Sequence, residues 1–314
     1  MCSSDLGMEG LVDKVARYLL YLENKRERSV EPNRYSHPNV VLIGGVTDVS
    51  PLLSRTAEFL EKGGWKPSIV RVKNGPLPPI NRIKKIPAIS FLGPDIAEVG
   101  NQFLKKLSLY GPVLNGADLR ITAHKRTYEM WNKCMIPCPR LFETPTPPYV
   151  LREAVGDAGS GNQFLVKDLP EPSGYKDPIR VEWIDTKGED GLYRKYRVIV
   201  VGDEVIPRSV HISMMWEVRL KTSIGTLGLD KEDETFVSST IPDSLKKLCV
   251  GAMKCLGLDF GALDLSFLPD GSPIFWEVNR CPGMDRTYDW SIKAENRFYE
   301  EVEKWLISCP TKRS

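Results

Sequence analysis

One stretch constrains the fold more than any other: residues 256–284, reading LGLDFGALDLSFLPDGSPIFWEVNRCPGM. Leu263, Leu265 and Phe267 alternate with Asp264 and Ser266. After the turn residues Pro269, Asp270 and Gly271, Ile274, Trp276 and Val278 alternate with Phe275, Glu277 and Asn279. Period-two alternation on both sides of a turn predicts a β-hairpin. Residues two apart share a strand face, so Asp264, Glu277 and Asn279 can project from one side of the sheet. Two carboxylates and an amide oxygen make a hard-oxygen cluster of the kind that holds Mg2+ against nucleotide phosphates. A half-solvated hairpin with a polar outer face produces the same alternation, so this stretch alone leaves both explanations open.

The rest of the composition narrows the class. With 314 residues and 41% hydrophobic content the chain can bury a large core shared by two or three structural units. Its 43 basic and 41 acidic residues nearly cancel, which argues against a nucleic-acid partner. The longest apolar runs, such as Val40 to Val46, fall far short of the ~20 residues of a membrane span. Residues 1–9 carry no basic segment leading into an apolar run, so no secretory signal is expected. Seven cysteines without CxxC pairs, and only three histidines, are expected in a reducing cytoplasm, with Cys134 and Cys138 as buried thiols rather than ligands.

In chain order, residues 10–24 have helical apolar spacing, and VVLIGG at 40–45 reads as a buried parallel strand. A helix over 52–60, stopped by Gly63 and Gly64, and a strand over 67–72 complete a βαβ order. A strand over 86–92, a helix over 95–110, a very short strand at 113–115 and a helix over 124–134 follow. The segment 153–162 contains Gly156, Gly159, Ser160 and Gly161, a loop whose backbone N–H groups are free to approach an anion, although surface hairpins often look the same. Strands are expected over 163–167, 179–184 and 193–201; in the last, Lys195 and Arg197 share a face. Helices over 245–255 and 292–307 flank the hairpin.

This order of parts resembles the ATP-grasp superfamily. The matching residues are VLNGADLRITAHKRTYEMW with IPCPR, PYVLRE with its glycine loop, RVEWID, KYRVIVVGDEV and the LGLDFGALDLSFLPDGSPIFWEVNRCPG hairpin. An Asp on one strand, a DG turn and a returning E-x-N followed by x-x-P-G look like the metal-binding signature of D-alanine ligases, glutathione synthetases and RimK-type glutamate ligases. The implied fold is α/β (α+β ATP-grasp): a pre-ATP-grasp α/β domain at 1–115, a small central subdomain at 116–184, and a large C-terminal subdomain at 185–314 with the metal-binding hairpin. ATP would lie between the last two.

The resemblance also implies roles. Asp264, Glu277 and Asn279 would hold Mg2+, or Mn2+, and Arg197 would contact phosphate beside Lys195. Lys125 matches the lysine opening the family's DK helix. Arg152 stands where the family usually carries a lysine, an exchange that keeps charge and adds bidentate geometry. Glu182, Trp183 and Ile184 match the hinge that reads adenine, and Gly159, Ser160 and Gly161 the loop closing over phosphates. A second departure is Ala262, where D-alanine ligases place an arginine that stabilises the acyl-phosphate transition state. Arg280 and Arg286 are the candidates to replace it.

The expected activity is that of a carboxylate-amine ligase acting on small-molecule carboxylate and amine substrates, a soluble cytoplasmic enzyme and a possible homodimer. Catalysis by positioning and electrostatics needs no Ser, Cys or His nucleophile, so His37, His124 and His211 are expected to be structural or solvated. A small-molecule kinase on the same fold, resembling inositol phosphate kinases, and a nucleotide-binding module without turnover are the alternatives.

Overall fold

The computed structural model describes residues 37–45, 51–73, 75, 77–80, 83, 85–154, 163–175, 177–219, 229–284 and 288–309. The helix expected over 10–24, the loop residues Gly159, Ser160 and Gly161, and Arg286 lie outside them.

The first sheet is parallel, in the order β2-β1-β3-β4, from β1 (Val40–Gly45), β2 (Pro67–Val72), β3 (Ala88–Ser90) and β4 (Val113–Leu114). Val40 to Ile43 are fully buried because helices cover both faces of this sheet. On one face, α1 (Leu52–Lys62) contributes Leu52, Leu53, Ala57 and Leu60. On the other, α2 (Ala97–Ser108) contributes Phe103, Leu104 and Leu107.

The second sheet is antiparallel, in the order β5-β8-β6-β7: β5 (Leu141–Phe142), β6 (Tyr149–Glu153), β7 (Gln163–Val166) and β8 (Pro178–Glu182). It is entered from α3 (His124–Lys133). The third, also antiparallel, runs β10-β9-β11-β12: β9 (Tyr193–Val201), β10 (Glu204–Ser213), β11 (Phe260–Phe267) and β12 (Pro273–Asn279). Helices α4 (Leu229–Val237), α5 (Asp243–Cys255) and α6 (Asp289–Ser308) complete the described chain.

The third sheet has two unlike faces, and this asymmetry positions the site. Val198, Val200, Leu263, Leu265, Phe275 and Val278 lie on one face, packed with Tyr128 and Trp131 of α3 and with Cys249, Ala252 and Met253 of α5. On the opposite face Ile199, Val201, Ile206, Phe260 and Ala262 form an apolar half that packs on β1, α1 and Phe298 and Val302 of α6. The other half of that face carries the charges. Helix α6 is fastened to α1 by the buried Arg55–Glu295 ion pair at 3.4 Å and by the Phe59–Tyr299 ring contact at 5.2 Å.

Two expectations are corrected. Strict alternation along β12 would put Phe275 on the face of Glu277, but the register passes from Asp264↔Glu277 to Leu265↔Phe275 and leaves Trp276 as an extra residue. This β-bulge turns Phe275 into the core, where it is fully buried, while Trp276 Nε1 donates to Ser266 Oγ at 2.8 Å. The second concerns the cysteines. Cys138 and Cys249 are buried free thiols, each pushed up to about 12, for Cys138 by burial and then the Glu182 charge and for Cys249 by burial. Cys134, at the end of α3, is instead disulfide-bonded to Cys255, the last residue of α5, their Cα atoms 6.4 Å apart. No local spacing reveals a pairing across 121 residues. Closing so long a loop is worth on the order of 4 kcal/mol in the chain-entropy account. Reductant is therefore expected to lower the urea midpoint of the parent and to leave that of Cys134→Ala/Cys255→Ala unchanged; equal midpoints with and without reductant in the parent would contradict it.

Candidate functional site

The charged half of the third sheet is assembled by register. Arg197 on β9 pairs with Asp264 on β11, and Asp264 with Glu277 on β12, so the three side chains form one row across three strands. Lys195 and Asn279 sit two residues from Arg197 and Glu277 on the same face. Asp264 is fully buried and takes a bidentate pair from Arg197, Nε to Oδ1 at 2.6 Å and Nη2 to Oδ2 at 2.8 Å. Lys195 Nζ lies 2.9 Å from Oδ2. Burial works against the Arg197 charge, but Asp264 more than offsets it and raises the Arg197 pKa. His211 pairs with Lys195 on the edge strand β10; burial first, then Arg197 and Lys195, pushes its imidazole down to about 3.

Glu277 is the accessible carboxylate of the row, its side chain 26% exposed. Burial acts to raise it, but contact with His124 and the charges of Lys195 and Arg152 hold it well below the usual carboxylate range. Its Oε2 is 3.7 Å from His124 Nε2 and 4.0 Å from Arg152 Nη2. Asn279 Nδ2 lies 3.5 Å from Glu277 Oε1. Among the described residues no cluster of three or more His, Cys, Asp or Glu side chains is placed to hold a metal, so a metal here would draw on the Asn279 amide as well.

The wall opposite Glu277 comes from α3 and β6. Arg152 Nη2 is 2.6 Å from His124 Nε2, and Arg152 Nη1 donates to Tyr128 Oη at 2.9 Å. Tyr128 in turn donates to the carbonyl of Trp276 at 2.8 Å, the residue that the bulge frees from the ladder. His124 Nδ1 faces the Glu153 carbonyl at 3.2 Å, so the network assigns the proton to Nδ1 and leaves Nε2 to accept from Arg152. Burial, then Arg152, lowers the His124 pKa, in keeping with a neutral ring.

The other expected residues are placed less directly. Lys125 is exposed and lines a shallow cleft with Arg126, Ala154 and Asp177, on a different side of α3 from His124. Thus His124, expected to be structural or solvated, meets Arg152, and Lys125 does not. At the hinge the Glu182 carboxylate is held by Arg140, Nη2 to Oε1 at 2.7 Å, which lowers its pKa. Trp183 meets Trp216 edge-on at 5.3 Å, and Ile184 follows it half-buried. Arg280 does not reach the charged face. It is 2% exposed, its Nη1 donates to the carbonyls of Ala117 at 3.0 Å and Asp118 at 3.2 Å, and its Nη2 to that of Asn115. Burial pushes it down to about 10. It fastens the end of β12 to the segment after β4. Ala262 is fully buried in the apolar half of the same sheet face.

Two neutral histidines, His124 buried and His211 half-buried, give a pH dependence. In the unfolded chain they take protons near pH 6.5, while the native His211 stays neutral down to about 3. The unfolded state then binds more protons below pH 6.5, so stability is full above that value and falls as pH falls. The expected loss is about 1.4 kcal/mol per pH unit for His211 between pH 6.5 and 5, above the range where carboxylates titrate. Urea midpoints across this window should show the slope, and His211→Gln should flatten it; an unchanged slope in the variant would contradict the assignment.

No family model matches the sequence, and no curated protein does. Among solved structures, the fold is similar to that of the ATP-grasp ligase PsnB complexed with minimal precursor, Mg and ADP, with 14% identity over 88% of this chain and 100% of that chain and a TM-score of 0.54. The macrocyclase MdnB from Microcystis aeruginosa MRC gives 18% identity over 86% of this chain and all of that one, with a TM-score of 0.55. The D-cycloserine synthetase DcsG gives 14% over 85% and 99%, with a TM-score of 0.54.

Proposed function

On the ATP-grasp fold that this chain shares with those structures, we propose that the protein is an ATP-dependent ligase joining a carboxylate to an amine or similar nucleophile and releasing ADP. The observation that carries this reading is the row Arg197, Asp264 and Glu277 across three strands, with Lys195 and Arg152 beside it. Three cations around two carboxylates leave an excess positive charge facing the open side, which suits a polyphosphate.

Glu277 and Asn279 offer hard oxygen donors of the type that Mg2+ or Mn2+ would take, and Glu277 is the one already open, while Asp264 could join only by giving up its bonds to Arg197 and Lys195. They fit an ion held by one or two carboxylates and completed by water and phosphate oxygens. Bound there, such an ion would neutralise phosphate charge. The chain's own groups do the positioning. Lys195 and Arg197 lie where charge develops on the transferred phosphoryl group, and Arg152 anchors the other phosphates. Trp183 and Ile184 wall the base; with Glu182 held by Arg140, reading of the base edge falls to backbone groups. Gly159, Ser160, Gly161 and Arg286 keep the roles that the family resemblance implies, whereas Lys125, facing a separate cleft, contacts the nucleotide only from that side. A carboxylate oxygen attacks the γ-phosphorus as the bond to ADP breaks; the nucleophile then attacks the acyl carbon, releasing phosphate and losing its proton.

A small-molecule kinase is the second reading, favoured by one observation. Position 262 is a buried alanine and Arg280 is engaged by backbone carbonyls, so neither supplies a cation for an acyl phosphate. PsnB was solved with a precursor peptide and DcsG is a D-cycloserine synthetase, so a test pool should span peptides and small amino acids together with polyols. Incubation with MgATP and mass analysis of products decides. ADP with an amide supports the ligase, ADP with a phosphorylated alcohol supports the kinase, and no ADP with any pool overturns both.

A further inference from the structure

We propose that His124 and Tyr128 are positioning residues that lock the Arg152 guanidinium in one orientation, making it a directional anion anchor rather than a mobile charge. The inference rests on the nucleotide-site reading above and extends it to two side chains with no assigned role. A guanidinium is planar, and two hydrogen bonds from different nitrogens fix both its position and its plane. Here Nη1 donates to Tyr128 Oη at 2.9 Å and Nη2 to His124 Nε2 at 2.6 Å.

Both acceptors are themselves held. Tyr128 is almost fully buried, and its own proton is committed to the Trp276 carbonyl at 2.8 Å, so its lone pairs point back to Arg152. The His124 ring is turned by the Glu153 carbonyl, one residue along from Arg152 itself, at 3.2 Å from Nδ1. Each acceptor is therefore aimed by a backbone carbonyl of a different strand, β12 for Tyr128 and β6 for His124. The buried Arg152 Nε finds no partner among the described residues, so two protein acceptors leave donors unused. A lysine at 152 would have three rotatable donors on a flexible stem and would not need both acceptors in fixed places. The bed and the arginine thus belong together, and the bulge at Trp276 is part of it because the carbonyl that takes the Tyr128 proton belongs to the residue without a partner in the strand register.

The test is a double-mutant cycle read as the Kd of ATP with Mg2+ by calorimetry, with melting temperatures followed in parallel. Tyr128→Phe and His124→Leu are each expected to weaken binding about tenfold, the size of one hydrogen bond to a charged group. In the Arg152→Met background neither should weaken it further. His124→Gln, whose amide oxygen can accept at the Nε2 position, should recover most of the loss. Additive effects with Arg152→Met, or no effect of either variant on the parent, overturn the proposal. A readout independent of nucleotide separates it from the site reading. In the free protein the Arg152 Nε–H resonance, assigned by its loss in Arg152→Lys, should show slow guanidinium rotation that becomes fast in Tyr128→Phe. Slow rotation in a protein that binds no ATP would sink the nucleotide reading and keep the positioning role, whereas fast rotation in the parent would sink the positioning role itself.

Discussion

Glu277→Gln is expected to fold like the parent and to lose about a thousandfold in ATP turnover, the scale on which single electrostatic groups act in a preorganised site. The substitution changes one atom and one charge. Glu277 is a quarter exposed, and its distances of 3.7 Å to His124 and 4.0 Å to Arg152 are long for hydrogen bonds, so its loss breaks little of the fold. It does change what the site can hold. The carboxylate is kept ionised far into acid by its surroundings, and it is the accessible carboxylate beside Asn279 that the proposed metal would use. With glutamine there, Lys195, Arg152 and Arg197 face a single carboxylate, Asp264. Phosphate binding without metal should therefore persist or strengthen while metal-supported turnover falls. Steady-state ADP release over a range of Mg2+ concentrations, with melting temperature as the control for folding, separates the two. A variant with the parent's turnover and Mg2+ dependence would sink the metal assignment.

How far the sequence reaches is visible within this one site. The row itself was legible because period-two alternation is a local rule, and Asp264, Glu277, Lys195 and Arg197 sit on strands long enough to show it. The first sheet was legible for a similar reason, since VVLIGG and the glycines after α1 mark a buried parallel strand and a helix stop within a few residues. Misses arose where the deciding contact is distant in sequence. Nothing near Trp276 announces that β12 carries an extra residue, yet the bulge decides which way Phe275 points and frees a carbonyl for Tyr128. His124 and Lys125 are neighbours on one helix, and only the position of β6 decides that the histidine meets Arg152. The one available signal was Tyr128, four residues on and thus above His124 on the same helix face. Arg280 looked like a catalytic cation because it adjoins Asn279, but it lies just past the end of β12, where the carbonyls of Asn115, Ala117 and Asp118, more than 160 positions away in sequence, take its guanidinium.

Asp264→Asn is expected to have the second large effect, first on stability. Asp264 is fully buried and accepts two hydrogen bonds from Arg197 with Lys195 at 2.9 Å, so neutralising it leaves two mostly buried cations side by side without the charge they share. Breaking a buried pair from one side costs about 3–5 kcal/mol. The double variant Arg197→Met/Asp264→Leu should regain most of that, because apolar side chains of similar volume avoid the desolvation that the charged pair incurs, and Lys195 can extend its ammonium to the open side. Turnover should remain lost in the double variant, since the cation proposed for phosphate and the carboxylate proposed for the metal site are both gone. That outcome would show that the buried pair is retained for chemistry rather than for the fold, a local departure from good packing of the kind expected where a site is built. Denaturant midpoints and ADP release measured on both variants decide it: a stable double variant with parental turnover would remove Arg197 and Asp264 from the site, and a double variant as unstable as Asp264→Asn would make the pair a structural element.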